Sequence, residues 1–163
     1  MSELAAKLIR TLPERSVSLA TAETLTGGLL GATLTEVPGA SKVYLGGTIA
    51  YATPMKTALL GIAPQLIAEH TVVSEQVALE MAIGLQERTD ADWVISVTGV
   101  AGPDGQDGPA PGEVWICVVG PRIPSIPQVQ QTQRFDFTGD RASVRAQTVE
   151  AAFGILLRAA SPV

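Results

Sequence analysis

Ser41 and Lys56 are the residues of this sequence whose types and spacing most directly indicate covalent catalysis. They stand fifteen positions apart, and a lysine that loses its proton near neutral pH can act as general base for a serine nucleophile. Lys56 follows Pro54 at a predicted helix start, where the helix dipole opposes its charge and lowers its pKa if the site is also desolvated. The residues alone leave alternatives open: a capping or solvated hydroxyl at Ser41, and a surface cation at Lys56.

A second group of candidate residues lies between a predicted buried strand and a helix. Thr24, Thr26, Gly27 and Gly28 present hydroxyl and unhindered N–H groups at the start of that helix. Such donors suit a phosphate or a developing oxyanion, although an ordinary capped turn explains the same residues equally well. Glu23 differs, because a carboxylate at the end of a buried strand needs a cation or hydrogen-bond donors.

Two further segments complete the predicted ligand site. Residues 98–105 form a glycine-rich loop after a predicted central strand, and its length and position favour a binding role over a purely structural turn. Arg141 stands at the start of the last helix, within reach of a phosphate if that end faces the site; a surface arginine is the alternative. Because residues 23–28, 51–56 and 98–105 each follow the carboxyl end of a strand, we expect them to meet at one edge of a parallel sheet.

The pattern of apolar residues predicts the elements that position these groups. A strand, a turn, a helix and a second strand indicate a βαβ unit at the start of a single α/β domain over residues 1–163. The last strand alternates apolar and polar residues, as an edge strand does. The predicted helices cover residues 3–12, 29–36, a segment beginning near Pro54, 63–89 with a restart at Ser74, and 141–159, and the predicted strands cover residues 16–22, 43–51, 92–97, 113–119 and 128–137.

Composition and charge exclude several classes of function. The chain has 163 residues, 46% of them hydrophobic, which suffices for one core but not for two. Its one cysteine, Cys117, excludes an intrachain disulfide and is predicted to be a small buried side chain, and its one histidine, His70, excludes a His-pair metal site. The net charge of -5 with scattered Lys and Arg predicts no nucleic-acid partner. No signal core or membrane-length apolar stretch occurs, so we expect a cytoplasmic protein without a membrane partner.

Short motifs occur in a specific order along nearly the whole chain. They are Ala22-Glu23-Thr24-Leu25-Thr26-Gly27-Gly28, Val37-Pro38-Gly39-Ala40-Ser41, Leu45-Gly46-Gly47 with Ala50-Tyr51, Lys56, Leu59-Leu60-Gly61, Val73-Ser74-Glu75, Thr98-Gly99-Val100-Ala101-Gly102-Pro103-Asp104-Gly105, Gly112-Glu113-Val114-Trp115 and Gly139-Asp140-Arg141. Together they resemble the C-terminal domain family of the competence/damage-inducible protein CinA, whose free-standing members are nicotinamide-nucleotide amidohydrolases. The resemblance implies a three-layer α/β/α sandwich with a five-stranded mixed, mostly parallel sheet in which the fourth strand is antiparallel.

The resemblance also implies a reaction and a set of site residues. The reaction is hydrolysis of the carboxamide of nicotinamide mononucleotide to nicotinate mononucleotide and ammonia through an acyl-enzyme, a step of NAD salvage that uses no metal or cofactor. Ser41 is implied to attack the amide carbon, Lys56 to accept its proton, and Tyr51 to orient or relay that proton. We also expect a homo-oligomer, a dimer or larger. The implied binding residues for the nucleotide substrate are Glu23, Thr24, Thr26, Gly27, Gly28, Thr98, Gly99, Ala101, Gly102 and Arg141.

Two positions depart from the family pattern. Thr24 stands where the family usually has serine, and Ala40 stands where a serine commonly precedes the implied nucleophile. The first change keeps a hydroxyl and the second removes one, which leaves Ser41 as the one candidate in that turn. These changes keep an alternative open, namely a catalytically weak or inactive nucleotide-binding or assembly module of the same fold.

Overall fold

The computed structural model describes residues 2–105, 108–124 and 126–161. Every helix and strand expected from the sequence is present there, with boundaries that differ by a few residues, and short 3-10 helices occur at Pro13–Arg15 and Ala40–Lys42. The helices are α1 Glu3–Thr11, α2 Leu29–Thr35, α3 Thr53–Leu60, α4 Pro64–His70, α5 Glu75–Thr89 and α6 Arg141–Ala159, and the strands are β1 Leu19–Glu23, β2 Tyr44–Ile49, β3 Trp93–Gly99, β4 Glu113–Gly120 and β5 Val129–Asp136.

The five strands form one mixed sheet in the order β2-β1-β3-β4-β5. β1 is parallel to β2 and to β3, whereas β4 is antiparallel to both of its neighbours. The expected sheet with an antiparallel fourth strand is therefore confirmed, as is the edge position of β5. Because β1, β2 and β3 run in one direction, their carboxyl ends lie along one edge of the sheet.

Helices cover both faces of the sheet and bury its side chains in two apolar layers. On β3, Trp93, Ile95 and Val97 pack with α1, α2 and α6, while Val94 packs on the opposite face with α3 and α5. This alternation follows from the two-residue repeat of a strand and confirms the three-layer α/β/α sandwich. Cys117 on β4 is buried in the second layer, as predicted. Burial raises the pKa of Cys117 to about 11, so the thiol stays protonated at neutral pH.

The packing of α3 determines where Lys56 lies. Ala52 is the extended residue before α3, and Pro54 stands in its first turn, where the fixed φ of proline suits a helix start. At the other end of α3, Leu60 packs against α5, and a Cβ at Gly84 of α5 would collide with the carbonyl oxygen of Leu60. The close approach of the two helices leaves Lys56 only 1% exposed.

The predicted restart of the helical segment at Ser74 is confirmed. Its side-chain oxygen accepts a hydrogen bond from the N–H of Val77 at 3.3 Å and so caps the first turn of α5. The connection before this cap turns the chain between α4 and α5 and carries Val72 and Val73, both buried. In the part of the chain that the structure describes, no helix is both long and apolar enough to cross a bilayer.

Candidate active site

A cavity of about 510 Å³ opens at the edge of the sheet where β1, β2 and β3 end. This volume lies within the usual range of small-molecule sites. The segments that follow the three parallel strands meet in it, as their positions predict, together with the α4–α5 connection and the start of α6. The lining residues are Thr24, Leu25, Tyr51, Ala52, Thr53, Lys56, Val72, Val73, Thr98, Gly99, Val100, Ala101, Gly102, Asp104, Gly105 and Arg141.

Lys56 brings a buried amine to the cavity. Its Nζ donates a hydrogen bond to the carbonyl oxygen of Ala50 at 3.0 Å, and no carboxylate in the described residues forms an ion pair with it. Burial lowers the pKa of Lys56 from its ordinary 10.5 to about 8, because desolvation disfavours the charged form. About a tenth of the amine is then neutral at pH 7 and able to accept a proton.

Arg141 joins two of the loops that form the cavity. Its Nη2 donates to the hydroxyl oxygen of Tyr51 at 2.7 Å, and its Nη1 donates to the carbonyl oxygen of Gly102 at 3.0 Å. The segment after β2 and the glycine-rich loop after β3 are thereby held by one guanidinium. Tyr51 is 59% exposed, so this contact lies at the mouth of the cavity, where a cation can meet an anionic group of a ligand.

Three threonines line the cavity, and the hydroxyls of two of them, Thr24 and Thr98, donate hydrogen bonds to backbone carbonyls. Thr24 is the first residue after β1, and its hydroxyl donates to the carbonyl oxygen of Val97 at 3.0 Å. Thr98, near the end of β3, donates to the carbonyl oxygen of Val72 at 2.8 Å and so anchors the α4–α5 connection. All three share the cavity with Lys56, but Thr24 alone stands at a turn between a parallel strand and the helix that follows it, a usual position for a nucleophile in α/β enzymes. Thr24 is therefore a candidate nucleophile, a role that the sequence did not assign to it.

The N-terminus of α2 already holds an anion, the carboxylate of Glu23. Its Oε2 accepts hydrogen bonds from the hydroxyl of Thr26 at 2.7 Å and from the N–H groups of Gly28 and Leu30, both at 3.0 Å. Its Oε1 accepts from the N–H of Gly31 at 2.9 Å. Four of the predicted binding residues stand outside the cavity lining: Glu23, Thr26, Gly27 and Gly28. The prediction that Thr26 and Gly28 bind a substrate phosphate is corrected, because Glu23 already accepts hydrogen bonds from the hydroxyl of Thr26 and the N–H of Gly28.

Ser41 lies at the opposite end of β2 from Lys56. It belongs to the 3-10 helix Ala40–Lys42 that precedes β2, whereas Lys56 follows β2. A six-residue strand spans about 17–20 Å, and Ser41 borders a separate groove with Tyr44. The structure therefore does not bring Ser41 to Lys56, and the predicted pair is corrected. A residue before a strand and a residue after it lie at opposite ends of that strand, and therefore on opposite sides of the sheet along the strand direction.

The structure also adds residues that the sequence reasoning missed. Val72 and Val73 line the cavity, but nothing in their chemistry marks them as a wall, since the fold alone brings the α4–α5 connection there. Thr53 and Asp104 line it as well, and both lie in segments that the sequence did single out. The sequence identified the segments but not these two side chains, because neighbouring side chains of one segment point in different directions.

Arg145 acts one helical turn after Arg141. Its Nε donates to the carbonyl oxygen of Leu25 at 3.1 Å and its Nη2 donates to that of Thr26 at 2.7 Å. The spacing of four residues between two arginines on α6 is a signal that could have found it, because such residues share one helix face. Arg145 thus contacts the turn that carries Thr24.

Fold and site together define an α/β protein with a cavity of small-molecule size at the carboxyl ends of its parallel strands. The cavity is lined by Thr24, the buried Lys56 and Arg141. Comparison with known families is consistent with the motif order along the chain. Residues 1–160 match the CinA C-terminal domain, and the chain belongs to this family.

Relatives of known sequence and structure agree with this assignment. The CinA-like protein of Chlorobaculum tepidum is 41% identical over 152 residues, which cover 93% of this chain and 36% of the relative. The CinA-like protein of Myxococcus xanthus is 39% identical over 142 residues, covering 86% and 32%. The chain therefore spans about a third of the length of these curated relatives.

Solved structures with the same fold cover almost the whole chain. The competence or damage-inducible protein from Enterobacter asburiae superposes with a TM-score of 0.91 at 32% identity, over 98% of this chain and 97% of that one. The competence/damage inducible protein CihA from Agrobacterium tumefaciens gives a TM-score of 0.88 at 30% identity, over 96% and 93%. The fold expected from the motifs is confirmed by these neighbours.

Proposed function

We propose that this protein hydrolyses the carboxamide of nicotinamide mononucleotide to nicotinate mononucleotide and ammonia. One observation carries the proposal: Thr24 and the buried Lys56 line the same cavity. An amine with a pKa of about 8 and a hydroxyl in one desolvated site are the parts of a hydroxyl–lysine amidase. Because Ser41 lies beyond the far end of β2, the nucleophile in this proposal is Thr24.

The first half of the reaction acylates Thr24. Its Oγ1 forms a bond to the amide carbon while its proton, which points to Val97 in the free protein, passes to the neutral Nζ of Lys56. The amide oxygen takes up the electron pair of the carbonyl bond and becomes an oxyanion. When that pair returns, the C–N bond breaks, Lys56 gives its proton to the leaving nitrogen, and ammonia departs. The nicotinoyl group remains as an ester on Thr24.

The second half repeats these steps with water. Lys56, neutral again, takes a proton from the water molecule as its oxygen bonds to the ester carbon. The C–Oγ1 bond then breaks, and the proton on Lys56 returns to Thr24. The carboxylic acid so formed gives its proton to the solvent, and nicotinate mononucleotide leaves as the carboxylate. Using one residue first as base and then as acid requires a pKa near the working pH, which burial supplies to Lys56.

The rest of the cavity supports a mononucleotide as the substrate. Arg141 offers a cation at the mouth, where a phosphate can replace or join the contact to Tyr51. Gly99, Gly102 and neighbouring residues of the glycine-rich loop line the cavity, and in this proposal their backbone groups form hydrogen bonds with the ribose. In this proposal Tyr51 orients the departing ammonia or relays its proton, held in place by Arg141.

Ammonia release from nicotinamide mononucleotide tests the proposal. Thr24→Val keeps the shape of the side chain but removes the hydroxyl, and Lys56→Met removes the base while keeping a long apolar chain. We expect each change to lower kcat by about 10³-fold or more, in the range seen when a nucleophile or its base is removed. Ser41→Ala is the matched control, and we expect its rate to equal that of the wild type.

Two other outcomes of these measurements would change the proposal. Unchanged turnover in Thr24→Val together with a loss in Ser41→Ala would return the nucleophile to Ser41. Tight binding of nicotinamide mononucleotide without ammonia release by the folded wild type would favour the alternative, a catalytically weak or inactive nucleotide-binding or assembly module of the same fold. Isothermal titration of the wild type with the same compound separates the two functions.

A further inference from the structure

The backbone N–H groups of the turn between β1 and α2 fall into two sets, those with an acceptor and those without. The N–H of Gly27 donates to the carbonyl oxygen of Thr24 at 2.9 Å and that of Leu29 to the carbonyl oxygen of Thr26 at 3.1 Å, while those of Gly28, Leu30 and Gly31 donate to the carboxylate of Glu23. Among the described residues, the N–H groups of Thr24, Leu25 and Thr26 have no acceptor. Thr24 and Leu25 line the cavity, whereas Thr26 is fully buried outside its lining.

Arg145 fixes the orientation of one of the peptide units concerned. In a trans peptide the carbonyl and the N–H point in opposite directions. The guanidinium holds the carbonyl oxygen of Leu25 at 3.1 Å, so the N–H of Thr26, in the same peptide unit, points away from Arg145. The second contact, to the carbonyl oxygen of Thr26 at 2.7 Å, sets the angle of the guanidinium. The preceding peptide unit is held in the same way, since Gly27 binds the carbonyl oxygen of Thr24.

We propose that Arg145 is a positioning residue for the hydrolysis, because its two hydrogen bonds hold the turn by which Thr24 and Leu25 line the cavity, so that the N–H of Leu25 stabilises the oxyanion formed at Thr24. The proposal rests on the proposed function. Donors that follow the nucleophile at a strand-to-helix turn are the usual components of an oxyanion hole. Without Arg145 the Leu25–Thr26 peptide is free to rotate, which displaces the N–H of Leu25 from the oxyanion. Arg145 itself contacts no reacting atom.

Steady-state kinetics of amide hydrolysis by Arg145→Met, Arg145→Lys and Arg158→Met test this role. We expect Arg145→Met to lower kcat by about 10²-fold, as the loss of one oxyanion donor does, while KM stays within about twofold because ground-state binding is untouched. Arg145→Lys keeps the charge but not the two-pronged geometry, and we expect an intermediate kcat. Arg158→Met, on the same helix near its far end, is the control and keeps wild-type kinetics.

Chemical rescue separates positioning from folding. We expect added methylguanidine to restore part of kcat in Arg145→Ala and to leave Arg158→Met unaffected, an effect that a loss of folded protein does not produce. A lowered thermal midpoint with unchanged kcat in Arg145→Met would show a purely structural role and overturn the inference. Absence of turnover in the wild type would instead overturn the proposed function, so the two failures are distinguishable.

Discussion

Lys56 is the residue whose chemistry its surroundings change most. Because burial lowers the pKa of Lys56 to about 8 and the proposed base must be neutral, kcat/KM for amide hydrolysis is expected to rise about tenfold per pH unit below pH 8 and to level off above it. A pH profile of ammonia release measures this dependence. A rate that is flat from pH 6 to pH 9, roughly the interval over which such a base titrates, would contradict Lys56 as the base.

The same residue predicts a pH dependence of stability that does not depend on activity. Below pH 8 Lys56 is protonated in both the folded and the unfolded state, and the folded state bears the penalty of a buried charge. Between pH 8 and 10.5 the unfolded state binds more protons, so this penalty falls as pH rises. We expect Lys56→Met to be more stable than the wild type by up to about 3 kcal/mol at pH 7, with the gap closing toward pH 10.5.

Urea unfolding of both proteins across pH 7 to 10.5 measures this gap. The difference between the two curves is the quantity to compare, because Cys117 and Tyr44 oppose the trend: burial raises the pKa of each, so the folded state retains their protons longer. Both groups remain in Lys56→Met and cancel in the comparison. A gap that stays constant over this range would mean that Lys56 is not desolvated in the folded state.

At the scale of elements, α2 depends on a carboxylate from the preceding strand. Gly28, the residue before α2, has φ of 99° and no side chain to cap the helix. The carboxylate oxygens of Glu23 instead accept hydrogen bonds from the first N–H groups of α2. Glu23→Gln keeps the shape but places an amide NH₂ against backbone N–H donors, which leaves at least one buried N–H without an acceptor. We expect a loss of about 2–3 kcal/mol in the free energy of unfolding, measured by urea denaturation.

Glu36→Gln is the matched control for that change. Glu36 is exposed at the opposite end of the same helix, where a negative charge meets the negative end of the helix dipole. We expect its replacement to leave stability unchanged or slightly raised. Equal losses in both variants would show that Glu23 does not act as the cap of α2.

At the scale of the whole molecule, the two edges of the sheet differ in charge. The β5 edge carries Arg134 and Asp136, both exposed, and charges on an edge strand oppose pairing with another chain. The β2 edge contains no charged residue. Apolar side chains are about half exposed along β2 and the outer side of α3: Leu45, Ile49, Met55 and Leu59.

We expect a second copy of this chain to cover the β2 edge, with the two β2 strands antiparallel about a two-fold axis. That arrangement pairs the same backbone groups of both copies and is self-complementary. A stable dimer buries about 800 Å² per partner, an extent to which both β2 and α3 contribute. Tyr51 follows β2 in the chain and lines the cavity, so we expect a partner copy in this arrangement to lie beside the mouth of the cavity.

Light scattering coupled to size-exclusion chromatography measures the molar mass and so distinguishes a dimer from a monomer. We expect a dimer for the wild type and a monomer for Leu45→Lys, which places a charge on the apolar edge. Gln133→Lys, at an exposed position of β5, adds the same charge to the other edge and is expected to stay dimeric. A monomeric wild type, or dimers in all three proteins, would rule out this interface.

The sequence by itself determined the elements of this protein and most of the cavity. Periodicity and capping residues placed α6 and the restart at Ser74, because these signals act over a few neighbouring residues. The segments of Tyr51, Lys56 and Thr98 could be assigned to one site for a related reason. Each follows the carboxyl end of a parallel strand, and such ends lie side by side, so no distance needs to be known.

Only the tertiary structure decided which hydroxyl accompanies Lys56 and what occupies the start of α2. Ser41 is fifteen positions from Lys56, yet those positions include β2, which carries the chain across the sheet. Thr24 is more distant in sequence but shares the cavity, because β1 and β2 are parallel and end at the same edge. The hydrogen bonds of Glu23 depend in turn on how β1 meets α2. The number of residues between two positions does not determine the distance between them once strands pair. Which strands pair depends on the whole sheet.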